Sequence, residues 1–174
     1  MRLVALFWVL LGTLAAQPLD VVIRNGHIID GSGSPWYSGD IGIRSGRIAA
    51  IGQLANRAAR KTIDAHGAVV APGFIDMLGQ SDISVLVNPH LPSKIFQGIT
   101  TEITGEGFSA APLNDAIRTV GRTVYEHFSI KPDWSTFRQY FARLENQGIG
   151  INGADYVGAT QGRRIVLCDY NRSP

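Results

Sequence analysis

Val70-Ala-Pro-Gly-Phe-Ile-Asp-Met-Leu-Gly-Gln80 is the stretch at which the chain changes its periodicity. Upstream of it, short apolar and β-branched runs are punctuated by turn residues. Val21–Arg24, Asn25-Gly26 and His27–Asp30 read as a hairpin around an Asn-Gly turn. After a Gly31–Pro35 loop, Asp40–Arg44, Ser45-Gly46 and Arg47–Ile51 repeat the device. Lys61–Asp64, Ala65-His66-Gly67 and Ala68–Ala71 give a third strand–turn–strand unit. Such regular spacing predicts a small antiparallel sheet or sandwich over residues 17–71. Downstream, from residue 72 to 174, strands alternate with helices. Gly73–Met77 and Ile99–Thr104 have the character of buried strands, and Pro92–Gln97 suits a short helix. Pro112–Val120 predicts another, with Asn114-Asp115 near its start. The longest predicted helix is Trp134–Asn146, with Asp133 as its cap. Phe137, Tyr140, Phe141 and Leu144 fall on one face of it, and Gly148 stops it. Ile149–Asn152 and Tyr156–Gly158 return to strand character. Alternation of this kind implies βα units around a parallel sheet. The fold class is therefore mixed, β first and then α/β.

Composition narrows the function classes. Of the 174 residues 45% are hydrophobic and 17% charged, which excludes an intrinsically disordered chain. Sixteen Lys and Arg stand against 14 Asp and Glu, without basic clusters, so nucleic acid is not the expected partner. The single cysteine, Cys168, rules out an internal disulfide framework and any all-cysteine metal site. Residues 1–16 have the layout of a secretory signal peptide. Met1-Arg2 is the positive start, Leu3–Leu14 is nearly all apolar, and Ala15-Ala16 offers small residues for cleavage. The apolar run is shorter than the ~20 residues that a membrane span needs. Export to a periplasmic or extracellular compartment is expected, without an anchor once the segment is cleaved.

Several runs, taken together in order, resemble the amidohydrolase superfamily, and within it the D-aminoacylase (N-acyl-D-amino-acid deacylase) group. They are Asp20–Pro35, Gly39–Gly52, Ile63-Asp-Ala65, Val70–Asp76, Gln97-Gly-Ile-Thr-Thr-Glu-Ile-Thr-Gly105 and Tyr156-Val-Gly-Ala-Thr160. The resemblance implies a composite β-sandwich followed by the first βα units of a TIM-like (β/α)8 barrel, incomplete here. A whole barrel takes about 250 residues. It further implies a zinc-dependent hydrolase of non-peptide C–N bonds in linear amides, with a small-molecule amide as partner. The family places two histidines one residue apart at the end of the first barrel strand, a cysteine after the second, and a further histidine near the third. In this chain the histidine positions read Leu78, Gln80 and Ala159, and Gly105–Ser109 holds no cysteine. Zinc is best served by N and S donors and carboxylates, so no metal or other cofactor is expected in this chain, and the isolated 174 residues are expected to be inactive.

The remaining polar residues at the implied barrel mouth are the candidates for chemistry. Glu106 stands in a Gly-Glu-Gly turn, and Gln80 and Asp82 lie just past the first strand. Asp76 reads as a structural acceptor, and Glu102, in mid-strand, needs a partner if buried. His27, His66, His90 and His127 fall at turns, loops or helix edges, and Arg163-Arg164 suit a solvated helix face or a substrate carboxylate. Three readings stay open: a deacylase-like hydrolase, a metal-free variant working through carboxylates such as Glu106, and a non-catalytic binding protein on the same scaffold.

Overall fold

A computed structural model describes residues 17–167; the signal-like segment and Cys168 lie outside that range. The chain divides into two compact units between Pro72 and Gly73. Each has its own sheet.

The first unit is one five-stranded sheet in the order β3-β2-β1-β4, with β5 also paired to β1. Its strands are β1 (Leu19–Ile28), β2 (Tyr37–Arg44), β3 (Arg47–Gly52), β4 (Ala59–Asp64) and β5 (Val69–Val70). β2 and β3 form the expected hairpin. Ser45 and Gly46 both take positive φ, 51° and 71°, as a two-residue turn between twisted strands requires. Asn25-Gly26, by contrast, makes no turn. β1 runs straight through it with a bulge between Ile23 and Gly26, where Asn25 adopts φ 56°. Both devices need the left-handed conformation that asparagine tolerates, and long-range partners decide between them. The Asn25 N–H donates to Asp40 Oδ1 (3.1 Å) and its side-chain amide to Asp64 Oδ1 (3.0 Å). Gly26 is needed for packing, because a Cβ there would meet Val70 Cγ2 at 2.8 Å.

The third predicted hairpin also fails. β4 and β5 lie one after the other along β1, both parallel to it, so the sheet is mixed rather than antiparallel. The His66-Gly67 turn between them, with φ 50° and 79°, steps around the bulge, and the Gly67 N–H donates to the Asn25 carbonyl at 2.8 Å. Leu19, Val22 and Leu54 form the buried centre of this unit. No second layer of a sandwich is found among its described residues.

The second unit is α/β. Its parallel sheet has the order β6 (Phe74–Asp76), β7 (Ile99–Thr104), β8 (Asn152–Asp155). Between β6 and β7 come α1 (Ser84–Val87) and α2 (Pro92–Ile95). Between β7 and β8 come α3 (Asp115–Val120), α4 (Arg122–His127) and α5 (Phe137–Gln147), and α6 (Ala159–Leu167) follows β8. α5 is the longest helix, but it starts three residues later than predicted. Thr136, not Asp133, caps it, through a capping box with Gln139; Asp133 instead pairs with Arg143 at 2.6 Å. α3 likewise begins after Asn114, whose side chain accepts from the Ile117 N–H at 2.9 Å. Trp134, 1% exposed, is core rather than helix, and its Nε1 donates to the Ala110 carbonyl at 2.7 Å. Val85, Leu91, Leu113, Tyr140, Leu144 and Ile151 pack in the same core.

Candidate active site

Parallel strands present their carboxyl ends together, and in open α/β sheets ligands bind beyond those ends. Here β6 runs out into Met77–Asp82 and β7 into Gly105–Ser109. The two turns line a cavity of about 290 Å³, with Gly79, Gln80 and Asp82 on one side and Gly105, Glu106 and Phe108 on the other. All three residues singled out from the sequence, Gln80, Asp82 and Glu106, therefore line one cavity. Gln80 and Glu106 are exposed and Asp82 is half-buried.

Glycine is demanded at two points of the wall. The Gly79 N–H continues the ladder to the Ile103 carbonyl (2.9 Å), and a Cβ at Gly79 would lie 1.9 Å from Glu102 Oε1. Gly105 has φ 88°, and a Cβ there would lie 2.0 Å from Asp155 Oδ1. The cavity thus rests against two carboxylates behind it.

Those carboxylates differ in their partners. Glu102 is 3% exposed and faces the Lys94 ammonium, with Nζ 3.0 Å from Oε1. Lys94 also donates to Asp76 at 2.6 Å, and this hydrogen bond is the main cause holding the Asp76 carboxyl below its ordinary value. Asp76 is thus tied to α2 and does not line the cavity. Asp155 has no aligned donor on either oxygen, and burial pushes its pKa up to about 6. Burial, reinforced by the Glu102 charge, also raises the Asp82 carboxyl, while the Asp82 carbonyl accepts from the Tyr140 hydroxyl at 2.7 Å. Lys94 and Asp155 escaped the sequence reading because their partners are distant in the chain and no motif marks either.

The histidines are elsewhere. His27 stacks on Trp36 at 4.0 Å, His66 faces Asp64, and His127 meets the edge of Phe128. His90 does not line the cavity. The Arg164 guanidinium lies 5.0 Å from the centre of the Phe108 ring. The donors on the cavity wall are one carboxamide and two carboxylates, and among the described residues no three His, Cys, Asp or Glu side chains are grouped to hold a metal ion. Leu78 is 57% exposed and outside the cavity wall. With two carboxylates and no histidine or cysteine among the described wall residues, this set is short of the three protein ligands of a catalytic zinc site.

Residues 11–74 match the family described as urease alpha-subunit, N-terminal domain. The chain is 36% identical over 159 residues to a D-aminoacylase of Alcaligenes xylosoxydans xylosoxydans and 38% identical to an N-acyl-D-glutamate deacylase of the same organism. Each match takes in 91% of this chain, and 33% and 32% of the respective relative. The crystal structure of an N-acyl-D-glutamate deacylase from Bordetella bronchiseptica, in complex with zinc and a phosphonate inhibitor, superposes with a TM-score of 0.76 at 40% identity. It covers 91% of this chain and 33% of that one. Over nearly its whole length the chain is similar to N-acyl-D-amino-acid deacylases. It spans about a third of the length of the curated relatives it matches. The Bordetella deacylase was crystallised with zinc, whereas this chain presents Gln80, Asp82 and Glu106 at its strand ends.

Proposed function

We propose that this chain is the amino-terminal portion of an exported hydrolase that cleaves the amide bond of N-acyl amino acids at the cavity between the β6 and β7 turns. What carries the reading is the joining of similarity to deacylases over nearly the whole chain to one cavity lined by Gln80, Asp82 and Glu106. In this reading the first sheet is part of a composite β-sandwich, and β6–β8 are the opening strands of a (β/α)8 barrel. Residues 1–16 are the signal peptide, and the substrate is a small molecule. Amide hydrolysis requires a polarised carbonyl, a base for the attacking water and an acid for the leaving nitrogen. The Gln80 amide N–H donates to the carbonyl oxygen. The exposed Glu106 carboxylate accepts the proton of water. Glu106 then passes that proton to the leaving amine, with Asp82 beside it on the same cavity wall.

The test is amine release by the full-length protein from a panel of N-acetyl-D- and N-acetyl-L-amino acids. Glu106→Gln should lower kcat/KM by about 10²–10⁴-fold, the usual worth of a positioned base. Turnover untouched in that variant rules Glu106 out, and a full-length protein that turns over none of the panel rules out the hydrolase reading. Residues 17–174 alone should release no amine. Leu78 and Ala159 at the family's histidine positions favour a second reading, a protein that binds N-acyl amino acids without cleaving them. Binding without amine release distinguishes it.

A further inference from the structure

A second cavity, of about 240 Å³, adjoins the first and shares Asp82 and Phe108 with it. Its apolar wall includes Ile83, as well as Ile117 and Val120 of α3, and Val124 and the Tyr125 ring of α4. Besides Asp82 and the Tyr125 hydroxyl, its polar members are Ser109 and Gln161, and both are already engaged. Gln161 accepts from the Ser109 N–H (3.2 Å) and donates to the Pro112 carbonyl (2.8 Å). Ser109 Oγ donates to the Ala111 carbonyl (2.6 Å) and accepts from the Gly158 N–H (3.0 Å). The α3 cation is directed elsewhere as well, since the Arg118 guanidinium donates to the Pro132 and Trp134 carbonyls and to Ser135 Oγ. Asp82 is the one charged residue among those lining the second cavity, and it stands on the side shared with the first. What remains is an apolar compartment opening beside a polar one, the arrangement that orients a ligand with one apolar and one polar end.

We propose that this compartment is the specificity pocket, which takes an apolar chain carried by the amide whose polar core lies between Gln80 and Glu106. Phe108, Val120 and Val124 are then its selecting residues. The inference rests on the amide-hydrolase reading and extends it to a substrate class. The apolar chain comes either from the acyl group or from the amino-acid side chain, and the two sources share one chemistry. An acidic side chain of the kind named for the glutamate and aspartate deacylase relatives would meet Asp82 there, with no cation among the described residues that line the wall.

The full-length protein is titrated calorimetrically with N-acetyl-D-alanine, N-octanoyl-D-alanine and N-acetyl-D-phenylalanine. At least one of the two larger ligands should bind tenfold or more tightly than N-acetyl-D-alanine. A gain for the octanoyl compound assigns the acyl group, and a gain for the phenylalanine compound assigns the side chain. Val124→Arg and, separately, Val120→Arg should abolish the gain. Val120 and Val124 are 52% and 46% exposed, so neither variant disturbs the core. Equal affinity for all three ligands, absence of binding, or a gain that survives both variants overturns the proposal. Amine release followed in parallel separates the two readings. A gain in affinity without amine release leaves the pocket standing and sinks the hydrolase, and amine release without the gain does the reverse.

Discussion

At the end of β8 the Asp155 carboxyl sits against Gly105 with both oxygens shielded and no aligned donor on either. Burial is the largest influence on it; the Ala110 backbone and the Thr104 hydroxyl oppose it, and the Asp82 charge reinforces it. With the folded-state pKa at about 6, above its ordinary 3.8, the folded chain holds a proton that the unfolded chain has already lost between those values. Its contribution to stability is therefore present at low pH and is lost as pH rises through about 6. Asp155→Asn should flatten that part of the stability–pH curve and raise stability at pH 7 by on the order of 1 kcal/mol, the residue as a whole being only half-buried. Denaturant unfolding at pH 5 and pH 7 checks it, and equal slopes in both proteins would exclude the assignment. At this scale Glu106, Gln80 and Asp82 were legible because glycines and strand ends announce a turn at a sheet mouth. Asp155 was not, because only the fold brings Gly105 against it.

Among the elements, α2, β6 and β7 are joined by one side chain. Lys94 comes from a helix of four residues, too short to be stable alone. It reaches Asp76 at 2.6 Å and Glu102 at 3.0 Å while only 18% exposed itself. Removing one partner of a buried ion pair costs about 3–5 kcal/mol, because the other charge is left uncompensated. Lys94→Met should destabilise by that order, and Lys94→Met with Glu102→Gln by clearly less, as a thermal-unfolding double-mutant cycle will read. Additive losses would show that Glu102 does not depend on Lys94. The sequence showed that Glu102 needs a partner but not which one. The same limit explains the β-sheet errors. Ser45-Gly46 joins strands adjacent in sequence, so local turn chemistry suffices to predict it. Asn25 is governed by Asp40 and Asp64, which no local pattern reveals.

For the whole molecule, the change of periodicity at Pro72 and the separation of two units at Pro72–Gly73 fall at the same place. The second unit carries the cavity, and its donors set an expectation for the purified 174-residue chain. Elemental analysis should find no stoichiometric zinc, and treatment with EDTA should leave the Tm unchanged. One tightly held zinc per chain would show that residues other than Gln80, Asp82 and Glu106 supply a metal site. The first unit has a different consequence, and it concerns time. β1 is made first, yet Leu19 pairs with Ala59, Val22 with Thr62 and His27 with Val69. At about 5–20 residues per second, the strand emerges from the ribosome roughly 2–8 s before its parallel partners exist. Through that interval only the β2 edge can be closed, and the other edge stays open to whatever else offers a strand. The order of synthesis leaves the oldest strand of the sheet as the last to be enclosed.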